Sequence, residues 1–198
     1  MRNTKKIIIS GALGQNGIIL SKILVKKKFS VYGFINEERK NKIETVIYKK
    51  INFNNLKEKK NNLKKIKPSH FVHFGSENPN ISLKKNDFKF SNLILFNHDS
   101  IFRNENFLLP RLAKSIIKKD LKFIKKIYKE NLIGDFSHAE DICNAIYLLI
   151  KKNECFDNII FSSNVATNVN DIINFMIKKY TKKVKINIKP NINKNYII

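Results

Sequence analysis

The stretch that decides the fold is Ser10-Gly11-Ala12-Leu13-Gly14-Gln15-Asn16-Gly17, SGALGQNG. It follows the apolar run Ile7-Ile8-Ile9 and precedes Ile18-Ile19-Leu20-Ser21-Lys22-Ile23-Leu24. A short β-branched apolar run reads as a buried parallel strand. Apolar residues at 18, 19, 23 and 24 recur at helical spacing, and Lys26-Lys27-Lys28 suits a helix C-terminus. Between them Gly11, Gly14 and Gly17 stand at G-x-x-G-x-x-G spacing. In a strand–turn–helix context the first glycine permits the tight turn and the second lets backbone approach a pyrophosphate. The third permits close helix–strand packing, with the helix N-terminus facing the phosphates. Gly11, Gly14, Gln15, Asn16 and Gly17 are therefore expected to contact a dinucleotide cofactor.

Outward from this turn, strand-like and helix-like segments alternate. Ser30–Ile35 and Thr45–Ile51 read as strands, Leu56–Ile66 as a Lys-coated helix closed by Pro68, and Phe71–Phe74 as a fourth strand. Asn92–Asn97 reads as another buried strand, Phe107–Ile117 as a helix, and Lys122–Asp135 as a β excursion. His138–Lys152 is an amphipathic helix, Asn158–Ser162 a strand, Val169–Tyr180 a helix, and the tail an edge strand. The implied fold is α/β, a doubly wound parallel sheet.

Composition narrows the function classes. A 42% apolar share in 198 residues supports one sizeable core. The formal charge of +23 raises nucleic acid as a partner, but 35 of the 39 basic residues are Lys. They are spread along the chain without interleaved aromatics, so the composition argues against nucleic acid. Cys143 and Cys155 form no disulfide framework or metal-ligand spacing and read as ordinary packing residues, and no metal is expected. No apolar run is long enough for a membrane span, and the expected location is the cytoplasm.

At the end of the second strand, Glu37 could hold the ribose hydroxyls of NAD, and Arg39 could meet the 2′-phosphate of NADP. An exposed polar loop fits either residue equally well.

With these residues in place the chain resembles the extended short-chain dehydrogenase/reductases, and among them the GDP-mannose 4,6-dehydratase family. The turn GALGQNG is similar to that family's G-x-T-G-Q-D-G. Lys67-Pro68-Ser69 through His73-Phe74-Gly75-Ser76 resembles its segment through the fourth strand. Leu95–Ser100, LFNHDS, is close to its L-F-N-H-E-S, and Arg103, Glu105 and Phe107 fall where it has R-G-E-x-F. Gly134–Ile142, GDFSHAEDI, resembles its R-D-W-G-H-A-K-D-Y.

The resemblance implies a Rossmann-like core over residues 1–120, reduced in strand number and shortened around 76–91. It also implies a small, truncated substrate-side portion over 121–198. It implies NADP or NAD as cofactor, a nucleotide sugar such as GDP-mannose as substrate, and a homo-oligomer or association with a full-length relative. By that resemblance Asn52 and Phe53 sit beside the adenine, and Gly75 and Ser76 lie on the nicotinamide side. Arg103 reaches a neighbouring subunit's cofactor, and Asn97 and Arg111 contact the substrate. By the residues alone, Asn97 could instead only cap a strand end, and His138 and Asp141 could only start a helix.

The departures concern the catalyst. The family's internal redox cycle needs a Tyr base whose pKa is lowered by a Lys four residues on, between the fourth strand and L-F-N-H-E-S. Here that interval, Ser76 to Asn92, contains no Tyr. Glu77 is a carboxylate there without a base to work with. The one Tyr-x-x-x-Lys, Tyr147 with Lys151, lies on a later helix. Asn36 and Glu37 replace the family's paired Arg, and Gly134 replaces another. The chain also ends soon after Tyr180. The expectation is a degenerate dehydratase relative with no catalytic residues of its own, with two alternatives. One is an enzyme completed by a partner chain, and the other a non-catalytic assembly subunit. The 16-residue connector from Ser76 to Ser91 is expected to set Asn92–Asn97 beside Phe71–Phe74. The sheet face left uncovered would favour dimerisation.

Overall fold

The computed structural model describes residues 4–38, 42–74, 91–180 and 196–197. Its elements in chain order are β1 (Lys6–Ser10), α1 (Gln15–Lys26), β2 (Ser30–Ile35), β3 (Ile47–Lys50), α2 (Leu56–Ile66) and β4 (His70–His73). They continue as β5 (Asn92–Leu95), β6 (Asn97–Asp99), α3 (Leu108–Lys118), α4 (Leu121–Glu130), β7 (Leu132–His138) and α5 (Ala139–Lys152). The last are β8 (Asn158–Phe161), β9 (Ala166–Asn168), α6 (Val169–Tyr180) and β10 (Tyr196–Ile197). The chain divides into two compact units, Met1–Asn92 with Ala139–Ile159, and Leu93–His138 with Ile160–Ile198. A cut at residue 120 would fall between α3 and α4, inside the second unit.

The first unit is a parallel four-stranded sheet in the order β3-β2-β1-β4. Central β1 buries Ile7, Ile8 and Ile9 completely, as a parallel strand covered on both faces requires. Ile8, Phe34, Ile51 and Ile66 form the core on the α2 face, with Tyr32, Phe53 and Leu63 packed against them. Helix α2 starts at Asn55, whose side chain accepts from the Glu58 N–H at 3.1 Å. It ends at Lys67 in the left-handed region, immediately before Pro68. Helix α5, though distant in sequence, packs on α1. The architecture is Rossmann-like α/β.

In the second unit β6 and β10 flank β7 in parallel, and β9 pairs with β7 antiparallel. The core joins Leu112 and Ile116 of α3, Ile124 and Ile127 of α4, Leu132 of β7, and Val169, Ile173 and Ile177 of α6.

Three expectations are corrected here. Residues 122–130 are not part of a β excursion; α4 covers them, and only the strand from Leu132 remains. Asp120 caps α4 by accepting from the Phe123 N–H, and Ile124 and Ile127 fall on one helical face. Asn92–Asn97 is not a buried strand beside β4. It divides into β5, which pairs with β8, and the start of β6. Side chains of β5 alternate between exposed and half-buried, with Ile94 42% exposed, the mark of a ribbon covered on one face only. Cys143 is buried as expected, but Cys155 is exposed rather than packed. Among the described residues no helix is long and apolar enough to cross a membrane, and no three His, Cys, Asp or Glu residues gather as a metal site.

Candidate functional site

The glycine turn lies at the carboxyl end of β1, where open α/β sheets present their ligand crevice. Gly11 has φ +68°, and a Cβ there would lie 2.8 Å from the Phe74 carbonyl oxygen. Glycine alone takes this conformation without cost and admits that approach. Gly14 donates its N–H to the Gly11 carbonyl at 2.9 Å and caps α1 with no side-chain hydrogen bond. A Cβ on Gly17 would lie 2.3 Å from the Gly11 oxygen and 2.6 Å from the Ala12 Cα. The turn is thus wound too tightly for any side chain at its start or its end. No acidic residue occupies the first turn of α1. The positive end of the helix dipole is not answered by a carboxylate of its own.

Around the turn, Ser10 and His73 share a short hydrogen bond between Oγ and Nδ1, tying the ends of β1 and β4 together. His73 stacks on Phe71, and its ring centre is 6.4 Å from that of Phe53. Phe53 is half-buried against the α2-side core. The Asn52 side chain accepts from the Asn54 N–H at 3.0 Å, and the Asn52 backbone N–H donates to Glu58 Oε2 at 3.3 Å. Asn36, Glu37 and Glu38 are exposed at the end of β2. Arg39, Gly75, Ser76 and Glu77 lie outside the described residues.

Tyr147 stands elsewhere. Its ring meets Phe29 edge-on at 6.4 Å, and Lys27 Nζ lies 5.6 Å from its centre. Both partners follow the C-terminus of α1, whereas Cys143, one turn earlier on α5, reaches the Asn16 carbonyl at the other end. The Tyr147 ring therefore packs against the residues that follow α1. Lys151 is exposed. Asp141, with Glu140, lies in the first turn of α5, where acidic side chains complement the dipole.

The remaining candidates belong to the second unit. Asn97 is exposed on β6 opposite Phe136 of β7, and Asp99 is opposite His138. Arg103 Nε lies 3.5 Å from Asp99 Oδ1, and its guanidinium sits 3.6 Å from the centre of the Phe107 ring. Burial raises the Asp99 carboxyl above its ordinary value, against the pull of Arg103 and His98. Arg111 lies over Phe123 at 4.2 Å. It lines a cleft of about 380 Å³ with Lys114, Lys118, Ser115, Glu105, Asn106 and Asp120. Lys114 pairs with Glu105 and holds that carboxyl below its ordinary range. The cleft thus carries three cations and two carboxylates, with Lys114 already paired to Glu105.

Sequence reasoning passed over Ser10, His73 and Asp99. The pairing of Arg103 with Phe107 was visible as an Arg and an aromatic four residues apart, but that of Arg111 with Phe123 has no local signature.

The family model for GDP-mannose 4,6 dehydratase matches residues 82–196, more than half of the chain. No curated protein matches the sequence. Among solved structures, dTDP-glucose 4,6-dehydratase from Bacillus anthracis in complex with NAD superposes with a TM-score of 0.78 and 13% identity, covering 98% of this chain and 87% of that one. UDP-glucose 4-epimerase from Thermotoga maritima gives 0.75 at 9% identity, over 98% and 89%. UDP-glucuronic acid 4-epimerase from Bacillus cereus, with NAD, gives 0.67 at 14%, over 97% and 87%. These likenesses establish the fold. With a family model matched over more than half of its length and this fold throughout, the chain belongs to the GDP-mannose 4,6 dehydratase family.

Proposed function

We propose that the chain binds NAD or NADP at its glycine turn and a nucleotide sugar of the GDP-mannose kind, and that it does not run the dehydratase reaction alone. The observation that carries the reading is the fit of the turn. Gly11 and Gly17 leave no room for a side chain, and α1 begins without a side-chain cap or an acidic first turn. Backbone N–H groups and a positive dipole end suit a pyrophosphate there. In the second unit Arg111 and Lys118, beside the Lys114–Glu105 pair and Asp120, leave the cleft one positive charge in excess, which supports a nucleotide-sugar phosphate there.

When bound, the nicotinamide would supply hydride transfer. The chain's own part would be a base that takes the sugar hydroxyl proton. The one Tyr with a Lys four residues on is Tyr147, held against Phe29 at the far end of α1. Binding without turnover is the expected behaviour. The same observation favours one second reading, in which a full-length relative contributes the missing base and this chain is its partner.

Both readings are tested by titrating NAD and NADP calorimetrically. The chain is then incubated with GDP-mannose and cofactor, alone and with a full-length relative, while the 4-keto-6-deoxy product is assayed. Cofactor binding with no product is expected from the chain alone. Robust turnover alone would sink the first reading, and unchanged turnover of the relative would sink the second.

A further inference from the structure

The link from β2 to β3 carries an anchor that the glycine turn does not explain. Gly33 of β2 pairs with Tyr48 of β3 and with Ile9 of β1. A Cβ on Gly33 would lie 2.7 Å from Tyr48 Cδ1, 2.8 Å from its Cε1 and 2.9 Å from the Ala12 Cβ. The Tyr48 ring thus occupies the space that Gly33 leaves bare, a space that Ala12 of the glycine turn also borders. Its hydroxyl accepts from the Ile43 N–H at 3.1 Å. Lys42 Nζ lies 5.6 Å from the ring centre and also pairs with Glu38. One half-buried side chain therefore lies over Gly33, whose bare face also meets Ala12 of the glycine turn. The same side chain holds Lys42 and Ile43, and through Lys42 the exposed residues that end β2.

We infer that Tyr48 is a positioning residue for the adenosine half of the dinucleotide, setting where Asn36–Glu38 stand relative to the turn. The inference rests on the reading of the turn as a dinucleotide site. In sheets of this order the ribose meets the carboxyl end of β2, and Tyr48 is the side chain that packs on Gly33, beside Ala12, and holds Ile43 and Lys42. The hydrogen bond is made by the phenol oxygen, so Tyr48→Phe keeps the ring and removes only the hold on Ile43.

The test is calorimetric titration of the full chain with ADP and with NAD, well below the melting midpoint. Under those conditions a loss of global stability leaves a dissociation constant unmoved. Tyr48→Phe is expected to weaken ADP and NAD by the same factor, roughly fivefold, the worth of one such hydrogen bond. Gly33→Ala, which forces the ring away, is expected to weaken both more. Tyr32→Phe, on the opposite sheet face among Phe53 and Leu63, is expected to change neither. If wild type binds ADP and Tyr48→Phe binds it equally well, this inference is overturned while the reading of the turn stands. If wild type binds neither ADP nor NAD, both fall.

Discussion

A methyl group at Gly17 would meet the Gly11 carbonyl oxygen and the Ala12 backbone well inside van der Waals contact, and both neighbours are main chain that cannot turn aside. Gly17→Ala should therefore cost about 2 kcal/mol of stability, in the range of an overpacked site, and abolish dinucleotide binding in the same titration. Gly14→Ala meets only the Gly11 oxygen, at 3.3 Å, and its φ of −80° suits any residue. It should fold with near wild-type stability, and equal losses at the two positions would refute this account of the turn. The two thiols also part company at this scale. Burial pushes the Cys143 thiol up to about 12, whereas Cys155 is exposed. Mass spectrometry after iodoacetamide treatment of the folded protein near neutral pH should find the label on Cys155 and none on Cys143, because the thiolate is the reacting form.

Among elements, the turn after β8 depends on one carboxylate of β7. Asp135 accepts from the Ser163 N–H at 2.9 Å and the Asn164 N–H at 2.8 Å, and these bonds, that of Ser163 first, hold its carboxyl below the ordinary 3.8. A depressed carboxyl contributes stability that is present above 3.8 and is lost as pH falls through its lower folded value. Asp135→Asn should therefore lower the melting midpoint near neutral pH, with the difference from wild type shrinking as the solution is acidified below about 3.8. A difference independent of pH would exclude this linkage. The neighbouring α4 shows what was and was not legible. Helices α2 and α6 declare themselves by apolar spacing and by Pro68 or a Lys-rich end. In LKFIKKIYKE the same 3.6 period, Ile124 with Ile127, is crowded by Phe123 and Tyr128, which read equally well as strand residues. Only the fold decides, by giving Ile124 and Ile127 a core to face and Asp120 an N–H to cap. Ile124→Ala should accordingly destabilise the second unit by about 3 kcal/mol in denaturant unfolding, whereas a residue of an exposed β excursion would cost little.

At the scale of the whole chain, local pattern carried the glycine turn and the β–α alternation, since each depends on residues a few positions apart. It could not carry the partnership of α5 with α1 or of β5 with β8, because periodicity states which face is apolar and not what covers it. That partnership makes the first unit discontinuous: residues 139–159 belong with 1–92, and the chain between them builds the second unit. Ile142, Ile146 and Ile150 of α5 are buried, as are Ile18, Leu20 and Leu24 of α1. Losing one helix would expose the other's apolar side, so their amides should open together. Native-state hydrogen exchange in rising denaturant should place the Ile142–Ile150 and Ile18–Leu24 amides on one isotherm. Leu132 of β7, the strand that runs directly into α5, should instead follow Val169–Ile177 of α6, with which it shares a core. If α5 exchanges with β7 rather than with α1, sequence neighbourhood governs cooperativity here, and the division into two units has no energetic meaning.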